Sequence, residues 1–212
     1  MALICPTVTA SDLHEYRAQI ERIVPFAERI HIDLMDGKFA PTESPELDHI
    51  WLPSEVVSDI HLMYENPMEY LEQLISLRPN MVVIHNEAQV HHMHFAAELH
   101  KAGIKAGLAI LQDTPVEHAF QIMHSFDHVL IFSGNLGHHG GSADLAFLDK
   151  VKKVREHHPD VEIGWDGGIN ADNARQLQDG GVDVLNVGGF IQNAQDPAMA
   201  YEAVRLSLDS QT

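Results

Sequence analysis

The sequence is poor in cysteine and in long apolar runs. One cysteine, Cys5, among 212 residues cannot form an intramolecular disulfide, so a reducing compartment is expected. No segment approaches the roughly 20 apolar residues of a membrane span, and the chain does not begin with a basic region followed by a long apolar run. We therefore expect a soluble, cytoplasmic protein without a membrane partner.

Positive charge is also scarce. Lysine and arginine total 13 against 31 aspartates and glutamates, which gives a formal net charge of −18. A field of this sign repels the phosphates of nucleic acids and anionic membrane surfaces, so neither is expected as a partner. A phosphorylated metabolite stays open, because backbone N–H groups at helix N-termini can bind phosphate without lysine.

Short apolar and β-branched runs recur eight times, with helical stretches between them. The runs begin near residues 2, 29, 58, 81, 106, 128, 161 and 182. Phe147, Leu148, Val151 and Val154 recur three and four apart and predict a helix face that packs on a sheet. Eight βα units in about 200 residues favour a closed barrel over an open doubly wound sheet. We predict an α/β fold, one (β/α)8 TIM barrel domain over residues 1–212.

Two histidines and two aspartates are predicted to meet at one end of this barrel. His31 and Asp33 lie two apart on one strand, so both side chains point into the interior. His61 and Asp166 lie at the ends of the next strand and the seventh. Such a set matches the ligands of zinc, manganese, iron or cobalt. Any one of these residues alone is equally compatible with a structural role.

At these positions the sequence resembles the ribulose-phosphate 3-epimerase family. The segment HIDLMDGKFAP at 31–41 is similar to the family signature of His-x-Asp, an apolar residue, Met-Asp-Gly and Phe-x-Pro. Further matches follow in order: CPT at 5–7, DIHLM at 59–63, GLAI with TP at 107–115, WDGGI at 165–169 and VGG at 187–189. The resemblance spans nearly the whole chain, and it implies a (β/α)8 barrel that forms homo-oligomers.

The resemblance also implies roles for individual residues. It makes His31, Asp33, His61 and Asp166 the ligands of a divalent metal. It makes Asp33 and Asp166 the acid/base pair, one on each face of the substrate, which suits inversion of a carbon beside a ketone through an enediolate. It also implies that four residues from the strands contact the substrate: Thr7, Met35, His61 and Met63.

Glycine pairs are the candidates for binding the phosphate of a sugar phosphate. Barrels commonly bind phosphate in the loops after the last two strands, where this chain has Gly167-Gly168 and Gly188-Gly189, and Gly140-Gly141 would close the site from the sixth loop. That loop departs from the family's Pro-Gly-Phe-Gly-Gly, because it follows Phe132 and contains His138-His139. These two histidines are interpreted as part of a solvated loop.

The leading prediction is metal-dependent epimerisation of D-ribulose 5-phosphate to D-xylulose 5-phosphate. The altered sixth loop keeps open the same chemistry on a hexulose phosphate such as D-allulose 6-phosphate. A related barrel class that decarboxylates or condenses sugar phosphates uses an Asp-x-Lys-x-x-Asp motif, and the segment HIDLMDG lacks its lysine. An alternative from a different class is a non-catalytic sugar-phosphate-binding barrel, which would be expected to have lost one of the four metal-site residues.

Overall fold

Eight parallel strands form the centre of the computed structural model, which describes residues 1–138 and 141–209. They are β1 (Leu3–Thr9), β2 (Arg29–Met35), β3 (Val57–Met63), β4 (Met81–His85), β5 (Lys105–Ile110), β6 (His128–Phe132), β7 (Glu162–Asp166) and β8 (Val184–Val187). The strands pair in chain order, and β8 closes the ring on β1. The predicted (β/α)8 barrel is confirmed, and the open sheet is excluded.

Helices surround the barrel. In the described ranges the α-helices are α1 (Leu13–Ile23), α2 (Leu71–Leu77), α3 (His92–Lys101), α4 (Phe120–Met123), α5 (Leu148–His157), α6 (Ala174–Asp179), α7 (Gly189–Gln192) and α8 (Pro197–Asp209). Short 3-10 helices precede α2, α4 and α5 at Pro67–Tyr70, Val116–Ala119 and Leu145–Phe147. Within these ranges every helix falls short of the length and apolar content that a bilayer crossing requires.

Local sequence signals explain where several helices begin. The Asp12 carboxylate accepts hydrogen bonds from two N–H groups in the first turn of α1, at 2.8 and 2.9 Å. Asn170 accepts from the N–H groups of Asp172 and Asn173 in the same way, although α6 becomes regular only at Ala174. These capping side chains therefore act locally even where the regular helix starts later.

Alternation along each strand separates an outer shell from the barrel interior. Outward residues such as Ile30, Ile32 and Leu34 of β2 are wholly buried in the main hydrophobic core. Burial of one such side chain contributes about 1.5–3 kcal/mol to stability. Inward residues are polar at both ends of the barrel. Between those ends lies a small apolar cluster of Met81, Val83, Ala109 and Leu130.

Candidate active site

Four acid and imidazole side chains meet at the C-terminal ends of the strands, the mouth of the barrel. His31 and Asp33 come from β2, His61 from β3 and Asp166 from the last position of β7. We call these four residues the mouth cluster. All of them are buried, and each offers a ligand atom within 4.8 Å of the others. The structure thus brings together the four positions named from the sequence.

The polar atoms of the mouth cluster point at a shared centre. His61 Nδ1 lies 3.0 Å from Asp33 Oδ1 and 3.6 Å from Asp166 Oδ2. His31 Nε2 lies 3.4 Å from Asp33 Oδ1 and 3.5 Å from Asp166 Oδ2. Within the described residues this buried nitrogen makes no hydrogen bond, which is costly unless another group binds it. Two imidazoles and two carboxylates in this arrangement can hold a divalent cation.

Protonation in the mouth cluster follows from its carboxylates. Burial lowers the pKa of His31, but the adjacent Asp166 and Asp33 carboxylates outweigh burial and raise this pKa to about 10. Burial raises the pKa of Asp33, but His31 and His61 outweigh it and hold this pKa well below its ordinary value. The centre therefore favours a positive charge, which either a proton on His31 or a bound cation supplies.

Thr9 fixes one carboxylate of the mouth cluster. Its hydroxyl donates a hydrogen bond of 2.6 Å to Asp33 Oδ2, so the other oxygen, Oδ1, faces His31 and His61. The sequence analysis did not name Thr9. It continues the inward alternation of Cys5 and Thr7 along β1, and that period of two is the signal that would have indicated it.

A third histidine lies behind His61. The sequence assigns His85, at the end of β4, no metal role and at most a place in the pocket wall. In the structure His85 is wholly buried, and its Nε2 is 2.8 Å from His61 Nε2. Burial lowers the pKa of His85 to about 4, so its ring is neutral near pH 7. The histidine therefore contacts a member of the mouth cluster from the side opposite the shared centre.

A cavity of about 250 Å³ opens next to the mouth cluster, and Asp33 and Asp166 line it. Met35 does not, and packs instead with Met63 and Ala40. Gly140, like His139, lies outside the described residues. His61, also predicted to contact the substrate, is wholly buried and is not part of the cavity lining either. The remaining residues predicted to contact the substrate line the cavity: Thr7, Met63, Gly141, Gly167, Gly168, Gly188 and Gly189.

The remaining cavity wall is polar but not cationic. Thr7 Oγ1 and Asn186 Oδ1 are buried and lack hydrogen-bond partners within residues 1–138 and 141–209. Asn170 and Asn193 also line the cavity, whereas its described lining contains no lysine or arginine. No sequence pattern indicated these three asparagines, because only closure of the barrel brings β8 and the segments after β7 and β8 together. Hydroxyl and amide groups with free capacity suit an oxygen-rich ligand.

The sixth loop covers one side of the cavity. Phe132, Asn135, Gly137 and His138 line it, so His138 is both exposed to solvent and adjacent to the cavity. The prediction that His138 belongs to a solvated loop is confirmed, and the structure adds that this residue borders the cavity. The Thr42 hydroxyl donates a hydrogen bond of 2.8 Å to the carbonyl of Gly137, which anchors this loop to the segment after β2.

Close approach of two loops explains the glycines after β7. Gly167 and Gly168 have φ of 109° and 71°, in the region that favours glycine. A Cβ atom would lie 2.1 Å from the Gly134 nitrogen at the first position and 2.1 Å from the Ala143 nitrogen at the second. The pair thus lets the sixth and seventh loops meet beside the cavity, whatever ligand the cavity binds.

Fold and site together define a class: a (β/α)8 barrel with an imidazole and carboxylate centre, able to hold a metal ion, beside a polar cavity. Comparison with known proteins then identifies the family. The model of the ribulose-phosphate 3 epimerase family matches residues 3–192. Ribulose-phosphate 3-epimerase of Mycobacterium leprae is 31% identical over 96% of this chain and 93% of its own length. The corresponding protein of Helicobacter pylori J99 is 31% identical over 95% of this chain and 96% of its own.

The chain therefore belongs to the ribulose-phosphate 3-epimerase family and is an isomerase, as the resemblance implied. Among solved structures, a sugar-phosphate complex of KGPDC from Streptococcus mutans matches with a TM-score of 0.74, covering 98% of this chain and 97% of that chain. At 11% identity, this structural match shows a shared fold and nothing about activity. Membership of an enzyme family sets aside the non-catalytic barrel.

Proposed function

We propose that this chain is a metal-dependent ketose-phosphate 3-epimerase, with D-ribulose 5-phosphate and D-xylulose 5-phosphate as the leading substrate pair. The observation that carries the proposal is the position of Asp33 and Asp166. These carboxylates come from non-adjacent strands, line one cavity and lie within 3.6 Å of the same two histidines. Inversion of a carbon requires a proton donor on one face and an acceptor on the other, and this pair offers both.

In the proposed reaction, one aspartate accepts the proton from the third carbon of the substrate. The electron pair of the broken C–H bond forms an enediolate, and the other aspartate, which enters the reaction protonated, donates its proton to the opposite face of the same carbon and is left ionised. The reverse reaction exchanges the two roles. Thr9 supports this assignment, because its hydrogen bond to Oδ2 restrains the Asp33 carboxylate and keeps Oδ1 directed at the shared centre.

The residues proposed to hold the divalent cation are those of the mouth cluster, and zinc, manganese, iron and cobalt stay the candidates. The unpartnered His31 Nε2 and the two converging carboxylates support this assignment. When bound there, the cation supplies Lewis acidity that stabilises negative charge developing on the ketone and hydroxyl oxygens of the substrate.

We propose that the phosphate of the substrate binds between Gly167-Gly168 and Gly188-Gly189, with Gly141 also lining the cavity. Gly140 lies outside the described residues, and its part in phosphate binding stays a prediction. The short helix α7 begins at Gly189, which lines the cavity with Gly188 and Phe190, so the leading N–H groups of this turn are candidates to bind the phosphate. The absence of lysine and arginine from the described lining makes these amides and the neighbouring asparagines the main phosphate donors. The sugar-phosphate complex of KGPDC, a protein of the same fold, is consistent with a sugar phosphate here.

Thr7, with its unpartnered hydroxyl, is proposed to contact the sugar oxygens, and Met63 to flank the reacting carbon. His61 is wholly buried and lies outside the cavity lining, so it is proposed to act on the substrate through the cation. Met35 is proposed to support Met63 rather than to reach the substrate, because the two pack together and Met35 lies outside the cavity lining. A cytoplasmic location is proposed because Cys5 is unpaired and buried. A homo-oligomer stays a prediction, which size-exclusion chromatography with light scattering tests.

One observation favours a second substrate class. The sixth loop presents Phe132, Asn135 and His138 to the cavity, where family members have the Pro-Gly-Phe-Gly-Gly loop after a methionine. A changed wall on this side could accommodate a hexulose phosphate such as D-allulose 6-phosphate, with the same two aspartates performing the inversion.

The test is a coupled assay over a panel of pentulose and hexulose phosphates, with metal removed by a chelator and then restored. We expect the highest kcat/KM for D-ribulose 5-phosphate, loss of activity without metal, and recovery on adding back one of the four candidate metals. A preference for the hexulose phosphate would move the assignment to the second class. Full activity in the chelated protein would contradict the metal assignment.

A further inference from the structure

Both ring nitrogens of His61 have a polar neighbour, and which of the two carries the proton decides whether His61 can bind a cation. Its ring is wholly buried, with Nδ1 3.0 Å from Asp33 Oδ1 and Nε2 2.8 Å from His85 Nε2. A neutral imidazole carries one N–H donor and one acceptor nitrogen. If the proton is on Nδ1, this nitrogen donates to Asp33 and has no lone pair with which to bind a cation. If it is on Nε2, the Nδ1 lone pair faces the shared centre and can bind one.

His85 and Glu87 decide between these states by their own hydrogen-bonding capacity. His85 Nδ1 and Glu87 Oε2 are both buried, both lack hydrogen-bond partners in the described part of the chain, and lie 3.6 Å apart. When His61 donates from Nε2, His85 accepts at Nε2 and carries its own proton on Nδ1, facing the Glu87 carboxylate. In the opposite state a lone pair would face that carboxylate, which is repulsive.

We propose that His85 and Glu87 are positioning residues: they hold the proton of His61 on Nε2 and so keep the Nδ1 lone pair available to a divalent cation. This inference rests on the proposed function, which makes His61 a metal ligand. Outer-shell partners of metal-binding histidines act in this way in other proteins, and their loss weakens metal binding by about 10–100-fold.

Contacts around the pair hold it in place. The Phe39 ring packs against the His85 ring with centroids 4.7 Å apart, and the Phe132 ring lies edge-on to it at 6.0 Å. Glu87 Oε1 accepts a hydrogen bond of 3.1 Å from the Leu111 N–H. This bond leaves Oε2 as the oxygen that faces His85, so the orientation of the carboxylate is fixed by the backbone of the loop after β5.

The sharpest variant is Glu87→Gln, which keeps the size of the side chain. Because the amide oxygen keeps the bond to Leu111, the amide NH2 takes the place of Oε2 and donates to His85 Nδ1. This reverses the preferred tautomers of His85 and His61. We expect zinc affinity, measured by competition with a chromophoric chelator in the absence of substrate, to fall by about 10-fold or more.

Two variants of His85 extend the test. His85→Leu removes the acceptor for the His61 proton and should also weaken zinc binding by about 10-fold or more, whereas His85→Gln offers an amide oxygen and should stay within about threefold of the original protein. Ile84→Val is the matched control. It is a buried neighbour on β4 that packs in the outer core and should leave zinc affinity unchanged while lowering stability.

Histidine side-chain ¹⁵N NMR of the zinc-loaded protein tests the tautomers without any substitution. We expect the proton of His61 on Nε2 and that of His85 on Nδ1. Zinc binding by Glu87→Gln and His85→Leu within twofold of the original protein, or a His85 proton on Nε2, would overturn the inference. If the unmodified protein binds no zinc, manganese, iron or cobalt at the mouth cluster, the proposed metal centre itself fails. Intact metal binding with insensitive variants removes only the role of His85 and Glu87.

Discussion

The two ends of the barrel interior carry charged residues from the same strands, but they differ in how those charges are paired. At the N-terminal end, β2, β3 and β7 contribute Arg29, Asp59 and Glu162, and β6 adds His128. We call these four residues the floor network. The mouth cluster comes from the same β2, β3 and β7, two or four residues further along each strand. The two regions therefore share three strands, and their residues are buried apart from Glu162, which is half-buried.

The regions differ in how completely their polar groups are paired. In the floor network, Arg29 donates two hydrogen bonds of 3.0 Å to Glu162 and one to Asp59, and His128 Nδ1 lies 2.8 Å from Glu162. In the mouth cluster, His31 Nε2 has no partner among the described residues, and two carboxylates converge without an arginine. A buried charge with all its partners is a structural feature, and removing one partner is strongly destabilising, whereas buried hydrogen-bonding capacity left open indicates a site for a ligand.

The largest expected effect comes from the mouth cluster. Asp33→Asn or Asp166→Asn should each lower kcat by on the order of 10³-fold or more, because one face of the substrate loses its proton-transfer group. Steady-state kinetics on D-ribulose 5-phosphate measures this. Asp59→Asn in the floor network is the matched control and should keep kcat within about threefold. Near-normal activity in either mouth variant would contradict the two-base assignment.

The next largest effect is on stability and comes from the floor network. Arg29→Met leaves Asp59 and Glu162 without their cation, so the free energy of unfolding should fall by about 3–5 kcal/mol. Urea denaturation measures the loss, and kcat per folded molecule should be nearly unchanged. An inactive but stable Arg29→Met protein would show that the comparison of the two ends is wrong.

The smallest expected effect is a pH dependence of stability. Burial raises the pKa of Glu162, but His128 and Arg29 outweigh it and hold this pKa well below its ordinary value of 4.5. A lowered pKa in the folded state means that the ionised carboxylate stabilises the protein fully above about pH 4.5 and progressively less as the pH falls below it. Urea denaturation from pH 7 downwards should show this loss.

Glu162→Gln is the control for the pH experiment. It should be less stable than the original protein at pH 7, and its unfolding free energy should change less with pH below about 4.5, because the titrating group is gone. An identical pH dependence in both proteins would assign the acid sensitivity to other carboxylates.

The fold could be predicted almost completely because its signals are local. Eight apolar runs indicated the strands, and the helical spacing of Leu148, Val151 and Val154 indicated the helix that the structure has as α5. The mouth cluster could also be named, because a period of two along β2 places His31 and Asp33 on one face. Arg29 lies on that same face, and the sequence could not show that its role differs from that of His31 and Asp33. Only the partners across the barrel, Asp59 and Glu162, show that its charge is already balanced.

The missed residues depend on contacts between distant segments. His85 is the clearest case, because the role proposed for it depends on one contact of 2.8 Å with His61 on the adjacent strand. Met35 shows the converse: the family motif implied that it lies beside the reacting centre, and packing places it outside the cavity lining, next to Met63. Met35 lies in register with Met63, so a linear motif fixes its strand face and level but not which neighbouring side chains cover it.

The most direct test of the central claim follows solvent hydrogen into the substrate. The metal-loaded protein is incubated with D-ribulose 5-phosphate in D2O, and NMR follows deuterium at the third carbon as D-xylulose 5-phosphate forms. We expect product that carries deuterium at this carbon, and loss of epimerisation in Asp33→Asn and Asp166→Asn. Product formed without deuterium, or at an undiminished rate in either variant, would contradict proton transfer between these two aspartates.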